Sequence, residues 1–102
     1  MYIVREIFYL QFGNYKEAKA LVDKGLKGGM LKPPSGSRIL TDFSGEGYRM
    51  ILESPYRSLG DFEAEHTREI NSDAWHDWYD QFKKLIRQSE REILKQIGET
   101  VA

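Results

Sequence analysis

The sequence predicts an α+β fold, and three observations carry that reading. The opening run YIVREIFYLQF (2–12) is rich in β-branched and aromatic residues, as strands are. A glycine turn, SGEG (44–47), separates RILTDF from YRMILES, two apolar runs whose charges complement each other across it. Apolar residues recur at steps of three and four over 15–26 and again over 59–86, the spacing of helix faces.

The first strand divides into two faces, Val4, Glu6, Phe8, Leu10 and Ile3, Arg5, Ile7, Tyr9. Both are largely apolar, so both are expected to be covered, which places the strand near the middle of a sheet. Gly13-Asn14 ends it. Asn14 is expected to cap the first helix, with Glu17 completing a capping-box pair. Tyr15, Ala18, Leu21, Val22, Gly25 and Leu26 form that helix's apolar side, and Gly28-Gly29 supplies a left-handed exit. LKPPSGS (31–37) is a loop, because its paired prolines lack amide donors.

The hairpin has one register that matches its charges. Phe43 opposite Tyr48 sets Thr41 against Met50 and Ile39 against Leu52. On the other face Asp42 meets Arg49, Leu40 meets Ile51, and Arg38 meets Glu53. A slip of one residue would lose both ion pairs. Ser58, with Asp61 three residues on, caps a second helix whose stripe is Leu59, Phe62, His66 and Ile70. Another helix starts at Ser72 or Asp73 and carries Trp75, Trp78, Tyr79, Phe82, Leu85 and Ile86 on its apolar side. The tail SEREILKQIGETVA fits a helix or a strand. Taken as a strand, it completes the ferredoxin-like order βαββαβ.

At 102 residues the chain is expected to form a single domain, 1–102, with a thin core that gains from burial against a second copy. Its 15 basic and 16 acidic residues are mixed along the chain and give a net charge of −1, so no nucleic acid partner is expected. Without cysteine there is no disulfide, thiolate metal site or cysteine nucleophile. The start MYIVREIFYL holds Arg5 and Glu6 inside its apolar run, which fits neither a signal peptide nor a membrane span. A cytoplasmic protein without membrane contact is the expectation.

Several segments resemble NIPSNAP-like proteins of the dimeric α/β barrel superfamily. LQFGNYKEAKALV (10–22) is similar to their strand-glycine-helix opening, and RILTDFSGEGYRMILESPYRSLGDFEA (38–64) to their hairpin and the helix start after it. WYDQFKKLIRQSEREILK (78–95) is similar to their closing helix and last strand. The sequence departs from the pattern at Phe12, where proline is usual, and at Glu6, where arginine is common. The resemblance implies a last strand near 90–97 and an antiparallel four-stranded sheet with helices on one face. It also implies a homodimer whose two sheets close into a dimeric α/β barrel, with a pocket between helices and sheet.

Both histidines and both tryptophans fall within EAEHTREINSDAWHDWYDQF (63–82). Trp75, Trp78, Tyr79 and Phe82 are spaced as a buried helix face. The other reading makes Trp75, Trp78 and Tyr79, with Phe8 and Phe62, walls of a ligand pocket. His66 is either a part-buried histidine bonded to a backbone carbonyl or a pocket base or anchor, since imidazoles titrate near neutrality. Glu6 is a second polar candidate if its face looks at the helices, and an arginine partner across a dimer if it does not. His76, among Asp73, Asp77 and Asp80, reads as exposed, and its spacing from His66 matches no metal motif. Two functions stand side by side. One is the binding or cofactor-independent conversion of a small apolar or aromatic molecule, by oxygenation or isomerisation. The other is a structural or binding module with a side-chain-filled pocket. A haem protein with His66 as axial ligand is a lesser third, and no cofactor is otherwise implied.

Overall fold

A computed structural model describes residues 1–45 and 47–101, so Glu46, within the sequence-predicted turn 44–47, and Ala102 lie outside the described residues. The elements are β1 (Tyr2–Leu10), α1 (Tyr15–Lys27), β2 (Arg38–Thr41), β3 (Arg49–Tyr56), α2 (Leu59–Ile70), α3 (Asp73–Phe82), a 3-10 turn (Lys83–Leu85) and β4 (Ile86–Lys95). The strands form one antiparallel sheet in the order β2-β3-β1-β4. The βαββαβ reading stands, and the tail is a strand that begins earlier than the expected 90–97.

The hairpin adopts the register its charges selected, with Arg38 opposite Glu53, Ile39 opposite Leu52, Leu40 opposite Ile51 and Thr41 opposite Met50. Beyond the ladder, Arg49 reaches Asp42 at 2.8 Å. Hydrogen bonds from Arg49 hold the Asp42 carboxyl below its ordinary range.

The core lies between helices and sheet. Leu10 and Met50 from the strands meet Ala18 and Val22 of α1 and Trp78 and Phe82 of α3, with Leu31 and Leu85 sealing the ends. Phe82, fully buried, stacks on Trp78 (4.9 Å between centroids) and takes the edge of Phe8 (5.0 Å).

Four expectations are corrected. The sheet is open and does not close into a barrel: its outer strands are β2 and β4, and every residue of β4 except Ile86 is exposed. On the second face of β1 Ile7 and Tyr9 are buried while Ile3 and Arg5 are half-buried, and the flanking residues lie in the same sheet. Ile7 is 4% exposed, flanked by Ile51 and Glu90 across the ladders. Beside it Glu53 takes Arg5 (2.9 Å) and Arg38 (2.8 Å), and Arg87 lies over the Tyr9 ring. Long charged side chains bury their own stems and whatever lies beneath them.

The third correction concerns α3, which stops at Phe82 and does not reach Leu85 and Ile86. Ile86 pairs with Leu10, and the Leu85 carbonyl accepts from the Gln11 N–H (2.8 Å). Strand pairing therefore overrides the helical spacing. The fourth is Asn14, which makes no side-chain cap: its backbone (φ −99°, ψ 11°) is not extended, and its N–H donates to the Gln11 carbonyl instead. Ser58 and Ser72 are extended and do cap, accepting from the N–H groups of Asp61 (3.1 Å) and Trp75 (3.2 Å). Among the described residues no helix is long and apolar enough to cross a membrane.

Candidate functional site

Where α2 and α3 lie over the sheet, they leave a cleft with a cavity of about 200 Å³. Its floor is Val4, Glu6 and Phe8 of β1 with Leu52, Ser54 and Tyr56 of β3. Phe62, Glu65, His66 and Glu69 of α2 form one wall and Trp75, Trp78 and Tyr79 of α3 another, while Ser89 and Arg91 of β4, opposite Phe8 and Glu6, extend the floor. Strand alternation puts the even residues of β1 on this floor, which resolves the question of Glu6: its face looks at the helices.

The rings are ordered in layers. Trp75 stacks on Tyr79 (4.9 Å, 7° between planes), and Phe62 stacks on His66 (5.7 Å, 16°). Tyr56 meets Phe62 edge-on at 5.5 Å. Trp78 belongs mostly to the core. It is 4% exposed, and its indole N–H donates to the Leu21 carbonyl at 2.6 Å.

The polar groups divide into committed and uncommitted ones. Glu6 accepts a hydrogen bond from Arg91 Nε at 2.5 Å, and the Arg91 guanidinium lies over the Phe62 ring at 5.2 Å. Glu65 pairs with Arg68 at 3.0 Å. Among the described residues neither Glu69 nor the His66 imidazole has a hydrogen-bond or ion-pair partner. Burial pushes the Glu69 carboxyl up; Arg68 opposes this, and Glu6 and Glu65 add to it. The Tyr56 hydroxyl is pushed up to about 12, by burial first and then by Glu69, Glu65 and Glu6. It is therefore a hydrogen-bond donor at every physiological pH.

All of the residues singled out from sequence as pocket candidates line this cleft: Glu6, Phe8, Phe62, His66, Trp75, Trp78 and Tyr79. The bond from a histidine to a backbone carbonyl, one of the two readings of His66, belongs to the exposed His76, whose Nε2 donates to the Ile70 carbonyl at 2.6 Å. Among the described residues no three His, Asp or Glu side chains are placed to hold a metal ion.

Sequence reasoning missed Arg91, Tyr56, Glu65 and Glu69. A signal existed for three of them. Residue 91 falls opposite 6 once the last strand pairs with the first, and Glu65 and Glu69 lie at helical steps from Phe62 and His66.

The architecture occurs in solved structures. A NIPSNAP domain protein from Burkholderia xenovorans superposes with a TM-score of 0.83 at 13% identity, over 100% of both chains. A NIPSNAP family protein from Agrobacterium tumefaciens gives 0.81 at 20% identity, covering 97% of this chain and 88% of that one. A second from the same organism, described as of unknown function, gives 0.79 at 17% identity, with coverage of 94% and 87%. No protein-family model matches the sequence, and no curated protein does. At these identities the likeness shows a shared fold.

Proposed function

We propose that this is a NIPSNAP-like protein whose cleft binds a small, mostly apolar or aromatic molecule. The carrying observation is the ring-walled cavity of about 200 Å³. An apolar cavity of about 150 Å³ holds benzene, so this one suits a single substituted ring. It is too small for the four pyrroles of a haem, which removes support from His66 as an axial ligand. Side-chain filling describes the adjoining core, where Trp78 and Phe82 stack, but not the cavity itself.

Within this reading His66 meets the ligand's polar atom. Its ring nitrogens can donate or accept, and among the described residues both are uncommitted. That is the place of a base or an anchor. Glu6, held by Arg91, is fixed as an acceptor at the floor. Trp75, Tyr79, Phe62 and Phe8 supply the walls.

Both tryptophans of the chain line the cleft, so intrinsic fluorescence reports on it. Toluene and p-cresol are expected to give saturable changes, which Leu52→Phe weakens about tenfold by filling the floor. His66→Ala should weaken p-cresol several-fold and leave toluene unaffected. A response that Leu52→Phe does not alter, or no saturable response, removes the reading.

We infer also that two copies associate. A ten-residue edge strand with Ile93 (44% exposed) and Leu94 (40%) in the open is unusual for a chain that works alone. Sedimentation at micromolar concentration is expected to give twice the chain mass, and a single-chain mass would refute the association.

A further inference from the structure

We infer that the ligand of this cleft carries a cationic amine beside its ring, held against the carboxylate of Glu69; the inference rests on the cleft being a binding site. The charged and imidazole side chains facing the cavity come from three of the surrounding elements: Glu6 on β1, Glu65, His66 and Glu69 on α2, and Arg91 on β4; β3 and α3 add only the hydroxyls of Ser54, Tyr56 and Tyr79 and the tryptophan rings. Two of the three carboxylates are spoken for, Glu6 by Arg91 and Glu65 by Arg68 behind it. Glu69 has no ion pair or hydrogen bond among the described residues, although it is half-buried and feels the charges of the other two. Glu69 is thus the carboxylate of the cleft without a direct cationic partner among the described residues, with Arg68 and Arg91 acting on it only from a distance.

A ring with a carboxylate of its own would add to that charge, and a neutral ring would leave it as it is. A ring with an ammonium group would neutralise it, and its aromatic surroundings favour the same sign. Trp75 and Tyr79 line the cavity with rings whose quadrupoles attract cations, as the ring of Phe62 does. One of them already does so, since the Arg91 guanidinium rests over the Phe62 ring at 5.2 Å. Tyr56, whose hydroxyl stays protonated, lies close enough to feel the Glu69 charge. The ring then occupies the α3 side of the cavity and the amine the α2 side.

Three probes of one shape separate the possibilities: phenethylamine, 2-phenylethanol and phenylacetate, titrated at pH 8 against tryptophan fluorescence. Phenethylamine is expected to bind about tenfold or more tightly than the alcohol, the usual scale for a hydrogen bond to a charged group, and phenylacetate more weakly than either. Glu69→Gln should bring the amine to the level of the alcohol without changing the alcohol. Glu63→Gln, an exposed change on the same helix, should keep the preference. If the alcohol binds as tightly as the amine, or the preference survives Glu69→Gln, the amine assignment is overturned and the cleft remains a binding site. If none of the three binds at millimolar concentration, the binding site itself is refuted.

Discussion

Helices α2 and α3 begin alike and end up with different tasks. Each starts at a serine whose hydroxyl accepts from the N–H three residues on, and each lies over the same sheet face with aromatic residues on its inner side. Yet α3 buries Trp78 and Phe82, while α2 buries nothing. The reason is what each helix meets. Trp78 packs against α1 and finds a carbonyl for its N–H, so that part of α3 is sealed and satisfied. The inner face of α2 is Phe62, Glu65, His66 and Glu69, and two carboxylates and an imidazole cannot be sealed without partners. One amphipathic rule thus gives an element that holds the fold and another that walls a cleft. Sites are drawn from the less buried elements because a ligand needs what burial would consume.

The sharpest way to break this comparison is to remove one ring from each helix. Phe82→Ala is expected to cost about 3–5 kcal/mol, as large core truncations do. Phe62→Ala should cost under about 1.5 kcal/mol, since Phe62 is only partly buried and lines the cleft. Urea midpoints at constant m-value measure both. Equal losses would mean that α2 is as much a part of the core as α3.

Next in size is Gly25→Ala, which tests the seal between α1 and α3. Helix propensity alone favours alanine by about 1 kcal/mol. A Cβ at position 25 would lie 2.8 Å from the Trp78 Nε1 and 3.0 Å from Leu31, and the indole cannot retreat without giving up the Leu21 carbonyl. We expect a net loss of about 1–3 kcal/mol from overpacking. A stabilised variant would show that the contact yields.

The two caps sharpen the contrast further. Ser72→Ala should cost about 1 kcal/mol of global stability. Ser58→Ala removes the same bond, but α2 can fray without disturbing the core. Its effect should appear as faster amide exchange over 59–62 with little change in the urea midpoint.

Much of this was legible in the sequence where local chemistry and the fold agree. The hairpin register followed from Arg38, Asp42, Arg49 and Glu53, because only one pairing satisfies all four. Both serine caps were legible for the same reason. Legibility failed where a distant partner decides. Leu85 and Ile86 carry helical spacing, but Ile86 is claimed by Leu10 across the sheet. The stripe Leu59, Phe62, His66, Ile70 was an apolar count. The helix is in fact rotated so that Leu59 and Ile70 are 47% and 50% exposed, and the two glutamates turn inward with His66. The barrel expectation came from the family resemblance, and the apolar second face of β1 agreed with it; in the structure Ile7 of that face is buried without a second sheet. The seven pocket candidates do converge on one cleft, because aromatic residues at core spacing also line whatever space the core leaves.

The smallest expected effect is also the one that joins stability to the cleft. Burial raises the Glu69 carboxyl above its ordinary value of 4.5. The folded chain therefore holds that proton more tightly than the unfolded chain. At pH values below 4.5 both states are protonated there and Glu69 costs nothing. As pH rises from the ordinary value through the raised one, the unfolded chain loses its proton first and gains relative stability, so the folded state weakens. Glu69→Gln cannot ionise and escapes this loss. It should match the parent protein in acid and exceed it at pH 8, read as a difference between urea midpoints that grows with pH. A difference independent of pH would mean that packing, and not the buried charge, distinguishes the two side chains. The growing difference would mean that α2 maintains at position 69 a charge that the fold alone disfavours, which is the cost a ligand of opposite sign would offset.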